Sequence, residues 1–245
     1  MPAAEQTLRI LSHLAGRPAP VAASAIAREL SLPRSTVYHL LTTLAAHGFV
    51  LHFREERRWG LGTSAFELSG GYARQQPLAR LGRPLVAALS DRLGESAHLA
   101  VMSGGDVLYI VEERAPRRPA LVTDVGVRLP AHLTASGRAM MAALPREQVR
   151  ALYPDASAFP DRSGLGPRRP RELRELLREV RGRGYATEDS EIAAGLRSVG
   201  AAVLDHAGWP VAAVAVTWAG TESEESTLAA AVIETARVLE TRLKR

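Results

Sequence analysis

Three residues near the start of the chain, Arg34, Ser35 and Thr36, set a guanidinium beside two hydroxyls in the stretch SLPRSTVYH. A guanidinium can grip guanine O6 and N7 in two parallel hydrogen bonds, and hydroxyls bond phosphate or base edges. On a helix of about 100° per residue, Val37, Leu40, Leu41 and Leu44 share one direction. Ser35, His39 and Thr42 fall opposite, with Arg34, Thr36 and Tyr38 on the flanks. A helix with an apolar back and a polar, cationic front can enter a major groove with its N-terminus leading. Its positive dipole end favours phosphate there. The plainer alternative makes Ser35 and Thr36 helix caps and Arg34 solvated surface.

The remaining chemistry-bearing residues form no catalytic pattern. The chain has no Cys, which removes thiolate nucleophiles, thiolate metal sites and disulfides and accords with a reducing cytoplasm. His98, His132 and His206 are widely spaced, with no HExxH or i, i+4 pair, so no metal site is expected. No GxSxG, no GxxxxGKS/T and no GxGxxG after a strand occurs, so no cofactor is expected either. Of 31 Lys and Arg residues only Lys244 is Lys, which leaves Schiff-base and P-loop chemistry a single residue near the C-terminus. Glu188, Asp189 and Glu191 cluster as an acid–base or metal site would, but such clusters are usually solvated. A catalytic α/β domain fused to a DNA-binding module is therefore the weaker reading, and no enzyme is expected. A DNA-architectural protein would need no such elaborate second half. No uncharged apolar run reaches the roughly 18 residues of a membrane span.

The elements that must carry these residues follow from periodicity and punctuation. Leu8, Leu11 and Leu14 predict a first helix closed by GRPAP, and Ile26 and Leu30 a second over Ala22–Leu30. Ser31-Leu32-Pro33 is a tight turn, and a third helix runs to about His47, stopped by Gly48. FVLHFREERRWGLG reads as strand, charged turn, strand, so Arg57 and Arg58 tip a hairpin that can meet phosphates or a minor groove. Residues 1–62 are thus a winged helix-turn-helix, with seven Arg against four Glu. Residues 63–79 form a linker helix with Gly70-Gly71 as a candidate hinge or close-packing point. Residues 80–245 carry hairpins at HLAVM/VLYIV and SVGAAVLD/VAAVAVTW, a third strand at ALVTDV, and helices over Ala135–Leu144, Arg146–Tyr153, Pro170–Gly182 and Glu222–Leu243. Five or six strands with segregated helices make an α+β sensor-like domain.

AIARELSLPRSTVYHLLTTLAAHGFV followed by WGLG resembles the DNA-binding domain of the IclR family of bacterial transcription regulators. GVRLPAHLTASGRAMMAAL and GYATEDSEIAAGLRSVGAAVLDHAGWPVAAVAVTW resemble that family's effector-binding domain, in the same order. The resemblance implies a linker helix joining the winged head to a GAF/PAS-like α/β domain. It implies a ligand-switched regulator, more often a repressor, that binds a pseudo-palindromic double-stranded DNA operator as a homodimer or homotetramer. It places a pocket for a small organic or aromatic acid at Leu129, Thr134, Ala135, Ser136 and Gly137 and, by motif alignment, at Glu188, Asp189, Ser198, Ala215 and Thr217. Ser198 stands where some members have Cys, and Ala215 where some have Ser, so one wall is expected to be less polar. Ser136-Gly137 at a helix start can offer N–H groups and a hydroxyl to an anion, or be a plain cap. Glu188 and Asp189 are pocket groups or solvated turn acids. Leu99, Val101 and Met102 are pocket wall or strand core. Arg128 is a carboxylate partner or surface.

Overall fold

Apolar residues at helical spacing assemble the first unit. Ile10 and Leu14 on α1 (Pro2–Ala15), Ile26 on α2 (Ala23–Glu29), and Val37, Leu41 and Leu44 on α3 (Arg34–Ala46) are buried in one cluster with Val50 and Trp59. Each such aliphatic side chain contributes about 1.5–3 kcal/mol by leaving water. The turn between α2 and α3 is held by the Leu32 N–H donating to the Ala27 carbonyl at 2.9 Å, with Ser31 in the left-handed region at φ 54°. Gly48, at φ 73°, ends α3 as expected, because that conformation penalises a Cβ. Strands β2 (Val50–Phe53) and β3 (Arg58–Leu61) pair antiparallel as the wing. A third strand, β1 (Val21–Ala22), pairs with β3. Two residues are too few to show alternation, so β1 leaves no trace in the sequence pattern.

The computed structural model describes residues 2–68, 77–116, 121, 123–220 and 224–244. The chain divides into two compact units, Met1–Gln76 and Pro77–Arg245. Of the expected linker helix, residues 63–68 are helical (α4) and belong to the first unit. Residues 69–76, including Gly70-Gly71, lie outside the described residues, and residues 77–79 already belong to α5 (Pro77–Leu93) of the second unit.

The second unit is built on β4 (Ser96–Ser103), β5 (Asp106–Glu113), β6 (Arg128–Pro130), β7 (Ala186–Asp189), β8 (Leu196–Leu204) and β9 (Pro210–Ala219). They form an antiparallel sheet in the order β6-β5-β4-β9-β8-β7. One face buries Leu99, Val199, Val214 and Val216 with residues of α5 and α9 (Glu225–Leu243). The other buries Tyr109 and Ala213 with Met140 and other residues of α6 (Ala135–Ala143), Val149 of α7 (Arg146–Leu152) and Leu173 of α8 (Pro170–Arg183). Mixed α+β architecture is therefore observed. Residues 222 and 223 of the expected closing helix lie outside the described residues.

The strand expected at ALVTDV is a correction. Ala120 and Val122 lie outside the described residues, Leu121, Thr123 and Asp124 are irregular, and the strand that pairs with β5 falls later, at Arg128–Pro130. Asp124 and Gly126 make a turn there, closed by the Val127 N–H on the Asp124 carbonyl at 3.0 Å. β7 was not foreseen, since ATED lacks the β-branched alternation of a strand.

Candidate nucleic-acid interface and ligand cavity

The outward face of α3 is polar along its length. Arg34, Ser35, Tyr38, His39 and Thr42 are exposed and Thr36 is half-buried, whereas Val37 and Leu41 are fully buried. The N-cap is Pro33 and makes no side-chain cap. Ser35 and Thr36 therefore stand inside the first turn and do not cap it. The first intrahelical bond is Val37 N–H to the Pro33 carbonyl at 3.1 Å, so the N–H groups of Arg34, Ser35 and Thr36 have no intrahelical acceptor. No acidic side chain occupies that turn. Thr42 donates its hydroxyl to the Tyr38 carbonyl at 2.8 Å and keeps its lone pairs outward. In the wing, Arg57 sits at φ 54° in the tip turn, and Arg58 Nη1 donates to the Pro20 carbonyl at 3.2 Å, tying the wing to the strand beside it. His52 stacks on Trp59 at 4.2 Å between ring centres, which stiffens the hairpin.

In the second unit, sheet register creates a row of polar groups. Glu188 lies opposite Ser198, and Ser198 opposite Thr217, so the three share a face across β7, β8 and β9. Ser198 Oγ donates to Glu188 Oε2 at 2.9 Å and lies 2.9 Å from Thr217 Oγ1, which lies 3.1 Å from His98 Nε2 on β4. The Ile192 N–H donates to Glu188 Oε1 at 3.0 Å. The next row is small: Gly200 lies opposite Ala215, and Ala215 opposite His98. A Cβ on Gly200 would stand 2.9 Å from the Ala135 carbonyl carbon, so only glycine lets the start of α6 settle onto β8. Gly137 is a second such contact: its Cβ would stand 2.3 Å from the Ala131 oxygen.

These rows and the start of α6 enclose a cavity with about 30 Å³ open to water-sized molecules. Of the expected pocket residues, Thr134, Ala135, Ser136, Glu188, Ser198, Ala215 and Thr217 line it. Leu129, Gly137 and Asp189 do not. Leu129 is buried beside α6, and Gly137 packs on Ala131 and donates its N–H to the Thr134 hydroxyl cap at 3.0 Å. Asp189 is exposed, with its carboxylate 3.4 Å from Arg197. Leu99 and Val101 pack on the opposite sheet face and Met102 on the α6 side, away from the lining. Arg128 donates to Ser103 Oγ at 2.6 Å.

Sequence reasoning missed His98, Tyr109, Leu121, Thr123, Ile192, Ala193 and Leu196, which complete the wall. Leu121, Ile192 and Leu196 are the large aliphatic side chains of that wall. Sequence reasoning also missed Arg138, which is buried on α6 and donates to the His132 carbonyl, the Thr187 carbonyl and Glu191 Oε1 at 2.7–2.8 Å. That fork fixes the start of α6 against β7 and the loop after it.

Electrostatically the cavity is unusual. Burial, aided by the nearby Arg114 guanidinium, lowers His98 to a pKa of about 3, so its ring is neutral. Burial raises the Glu188 carboxyl above its ordinary value, opposed by the Ile192 N–H, the Ser198 hydroxyl and Arg138 and reinforced by Glu191. Burial and then Glu188 and Glu112 raise the Tyr109 phenol, against a hydrogen bond from Ser136. His98 Nδ1 and Thr123 Oγ1 are buried and find no hydrogen-bond partner among the described residues. Such groups normally find one, so a donor or acceptor from a ligand or water fits here.

Comparison with known proteins matches both units. Residues 3–52 match the IclR helix-turn-helix domain model, and residues 70–241 match the model described as bacterial transcriptional regulator IclR C-terminal. The chain is 30% identical to the transcriptional repressor IclR of Escherichia coli over 218 residues, 86% of this chain and 77% of that protein. It is 31% identical to the glycerol operon regulatory protein of Streptomyces coelicolor, over 88% of this chain and 84% of that one. In structure it is similar to an IclR homologue from Microbacterium hydrocarbonoxydans complexed with 4-hydroxybenzoate (TM-score 0.84, 21% identity, 98% of each chain).

Proposed function

The chain belongs to the IclR family of bacterial transcriptional regulators, and from that membership we propose that α3 reads an operator in the major groove while the cavity of the second unit senses a small organic or aromatic acid. The observation that carries the DNA reading is the one-sided helix. Arg34, Ser35, Thr36, Tyr38, His39 and Thr42 line a face whose opposite side is the core, and the leading N–H groups are open to phosphate. Arg57 and Arg58 of the wing add phosphate or minor-groove contacts.

The regulator acts in the cytoplasm, as a repressor more often than an activator, since several relatives carry repressor in their names. It works as a homodimer, or as a dimer of dimers, on a pseudo-palindromic site. Leu8 on α1 and Phe66 and Leu68 on α4 are 64%, 80% and 62% exposed, and apolar side chains this open on one unit suit a second copy. Effector acid shifts the DNA-binding arrangement only insofar as it binds two arrangements unequally. The test is Arg34→Ala on duplexes that the protein selects from a random library. Fluorescence anisotropy at matched salt is expected to show binding weakened by about 1–3 kcal/mol. Unchanged titrations would rule out base reading by Arg34.

A further inference from the structure

Five arginines line one groove of the second unit. Arg146 and Arg150 come from α7, and Arg174, Arg178 and Arg181 from α8; all five are exposed. The groove holds about 410 Å³ and shares no lining residue with the cavity at the start of α6. Sites for small molecules run from roughly 300 to 1,000 Å³. Its floor is apolar, with Val149, Leu173 and Leu177 buried. No Asp or Glu is among the described residues that line it. Outside the described residues the chain has one acidic side chain, Glu222, so five guanidiniums keep a positive excess.

A solvated Arg-rich helix normally interleaves its charges, but α8 sorts them. At about 100° per residue, Arg174, Arg178 and Arg181 fall within about 60° of one another, on one flank of the buried stripe Leu173, Leu177 and Val180. Glu172, Glu175 and Glu179 fall within about 60° on the other flank. There Glu172 accepts from the Arg168 N–H at 2.7 Å and Glu175 pairs with Arg171 at 3.1 Å. Arg174 and Arg178 stand at i, i+4, as do Arg146 and Arg150, and like charges at that spacing destabilise a helix. Arg146 is also the first residue of α7, where the helix dipole disfavours a cation. Burial, and then the Arg146 guanidinium, lowers the Arg181 pKa, so the charges of the two helices oppose one another across the groove. Several local rules broken at one place point to a function that uses them. Two of the guanidiniums are also held in place. Arg181 donates to the Ala142 carbonyl at 2.6 Å and Arg174 to the Pro170 carbonyl at 3.3 Å, each through Nε alone among the described residues, which leaves both Nη groups for an acceptor.

We infer that the groove between α7 and α8 is a second small-molecule site whose ligand is an oligophosphate, a chain of two or more phosphate groups, free or carried by a nucleotide. Arg174 and Arg181 are separated by about 10 Å along α8. A monocarboxylate would offset one charge of five, whereas successive phosphates can each take a guanidinium fork along that length and from both walls. An arginine left over can stack on a base, which is what a nucleotide would add. Duplex DNA presents its phosphates on a convex surface, and a recess between two helices fits a slender chain better.

Isothermal titration calorimetry of the full chain, at about 0.15 M salt to screen loose surface attraction, tests the site. The probes are orthophosphate, pyrophosphate, triphosphate, ATP and adenosine, with a hexaglutamate peptide. Triphosphate is expected to bind once per chain, at least about tenfold more tightly than orthophosphate. Arg150→Gln/Arg178→Gln, one residue from each wall, is expected to weaken it at least about tenfold. Arg171→Gln/Arg183→Gln, equal in net charge but on the other side of α8, is expected to bind as wild type does. Triphosphate should raise the melting temperature of wild type and of that control, and leave the groove variant unmoved. ATP tighter than triphosphate assigns the nucleotide, and ATP no tighter assigns the bare chain. No oligophosphate binding, orthophosphate as tight as triphosphate, or equal losses in the two double variants overturns the inference. Hexaglutamate as tight as triphosphate also overturns it, in favour of an acidic protein segment. So does a groove variant that loses affinity for duplex DNA when wild type takes no oligophosphate, which makes the groove a contact for the DNA backbone.

Discussion

Thr217→Val removes one oxygen from the cavity wall and keeps the shape of the side chain. Thr217 Oγ1 is the hydrogen-bond partner of both His98 Nε2, at 3.1 Å, and Ser198 Oγ, at 2.9 Å. Ser198 retains its bond to Glu188, so its loss is small. His98 is different: its ring is 1% exposed, and Nδ1 already lacks a partner among the described residues. Stripping Nε2 leaves a buried polar nitrogen without compensation, which costs about 1–3 kcal/mol. For a chain of this size that corresponds to a melting temperature lower by roughly 2–4 °C per kcal/mol. The companion His98→Leu removes the other partner, and the double variant buries no stranded group at this contact. Urea unfolding of the four proteins, followed by circular dichroism, closes a double-mutant cycle. A coupling energy of at least about 1 kcal/mol is expected. Losses that add to within about 0.5 kcal/mol would refute the claim that this chain of hydrogen bonds organises the wall.

Acid is expected to weaken the second unit through two buried histidines. Burial lowers His98 to about 3 and His132, helped by Arg138, to about 4. Their protons are thus bound mainly on unfolding, so stability is intact above the unfolded value of 6.5 and is lost as pH falls below it. At pH 5 each ring costs about 2 kcal/mol. Glu188, whose value is raised, works in the opposite sense. Urea midpoints from pH 7.5 to 5 should flatten in His98→Gln, and an unchanged slope would contradict the assignment. Gly137→Ala places a Cβ 2.3 Å from the Ala131 oxygen, both backbone-anchored, and should cost about 3 kcal/mol or more by thermal melting. A shift below 1 °C would show that the start of α6 yields easily.

The two halves were legible in the sequence to different depths. The winged head shows itself in short-range periodicity: Val37, Leu41 and Leu44 turn inward, and the residues between them must turn out. Its two-residue strand β1 has no pattern to read. The cavity is a long-range object. Ser136 at a helix start and Glu188 in an acidic cluster draw notice locally, but Thr134, Ser198 and Thr217 are located only through family motifs, and nothing local says that Glu188, Ser198 and Thr217 occupy one cross-strand row. His98 and Tyr109 sit in apolar strands whose alternation identifies a core and says nothing of a cavity within it. Leu121 and Thr123 belong to a stretch that resembles a strand by composition. There the Asp124–Gly126 turn prevails over β propensity.

Operator reading requires the exposed front of α3 to lie against bases. A photo-crosslinking phenylalanine analogue placed at His39, and in a control protein at Arg174 on α8, tests this directly on a library-selected duplex. Crosslinks from position 39 to bases inside the selected motif, absent from position 174, are the expected result. A protein that binds the duplex fully while position 39 yields no crosslink to bases would contradict it.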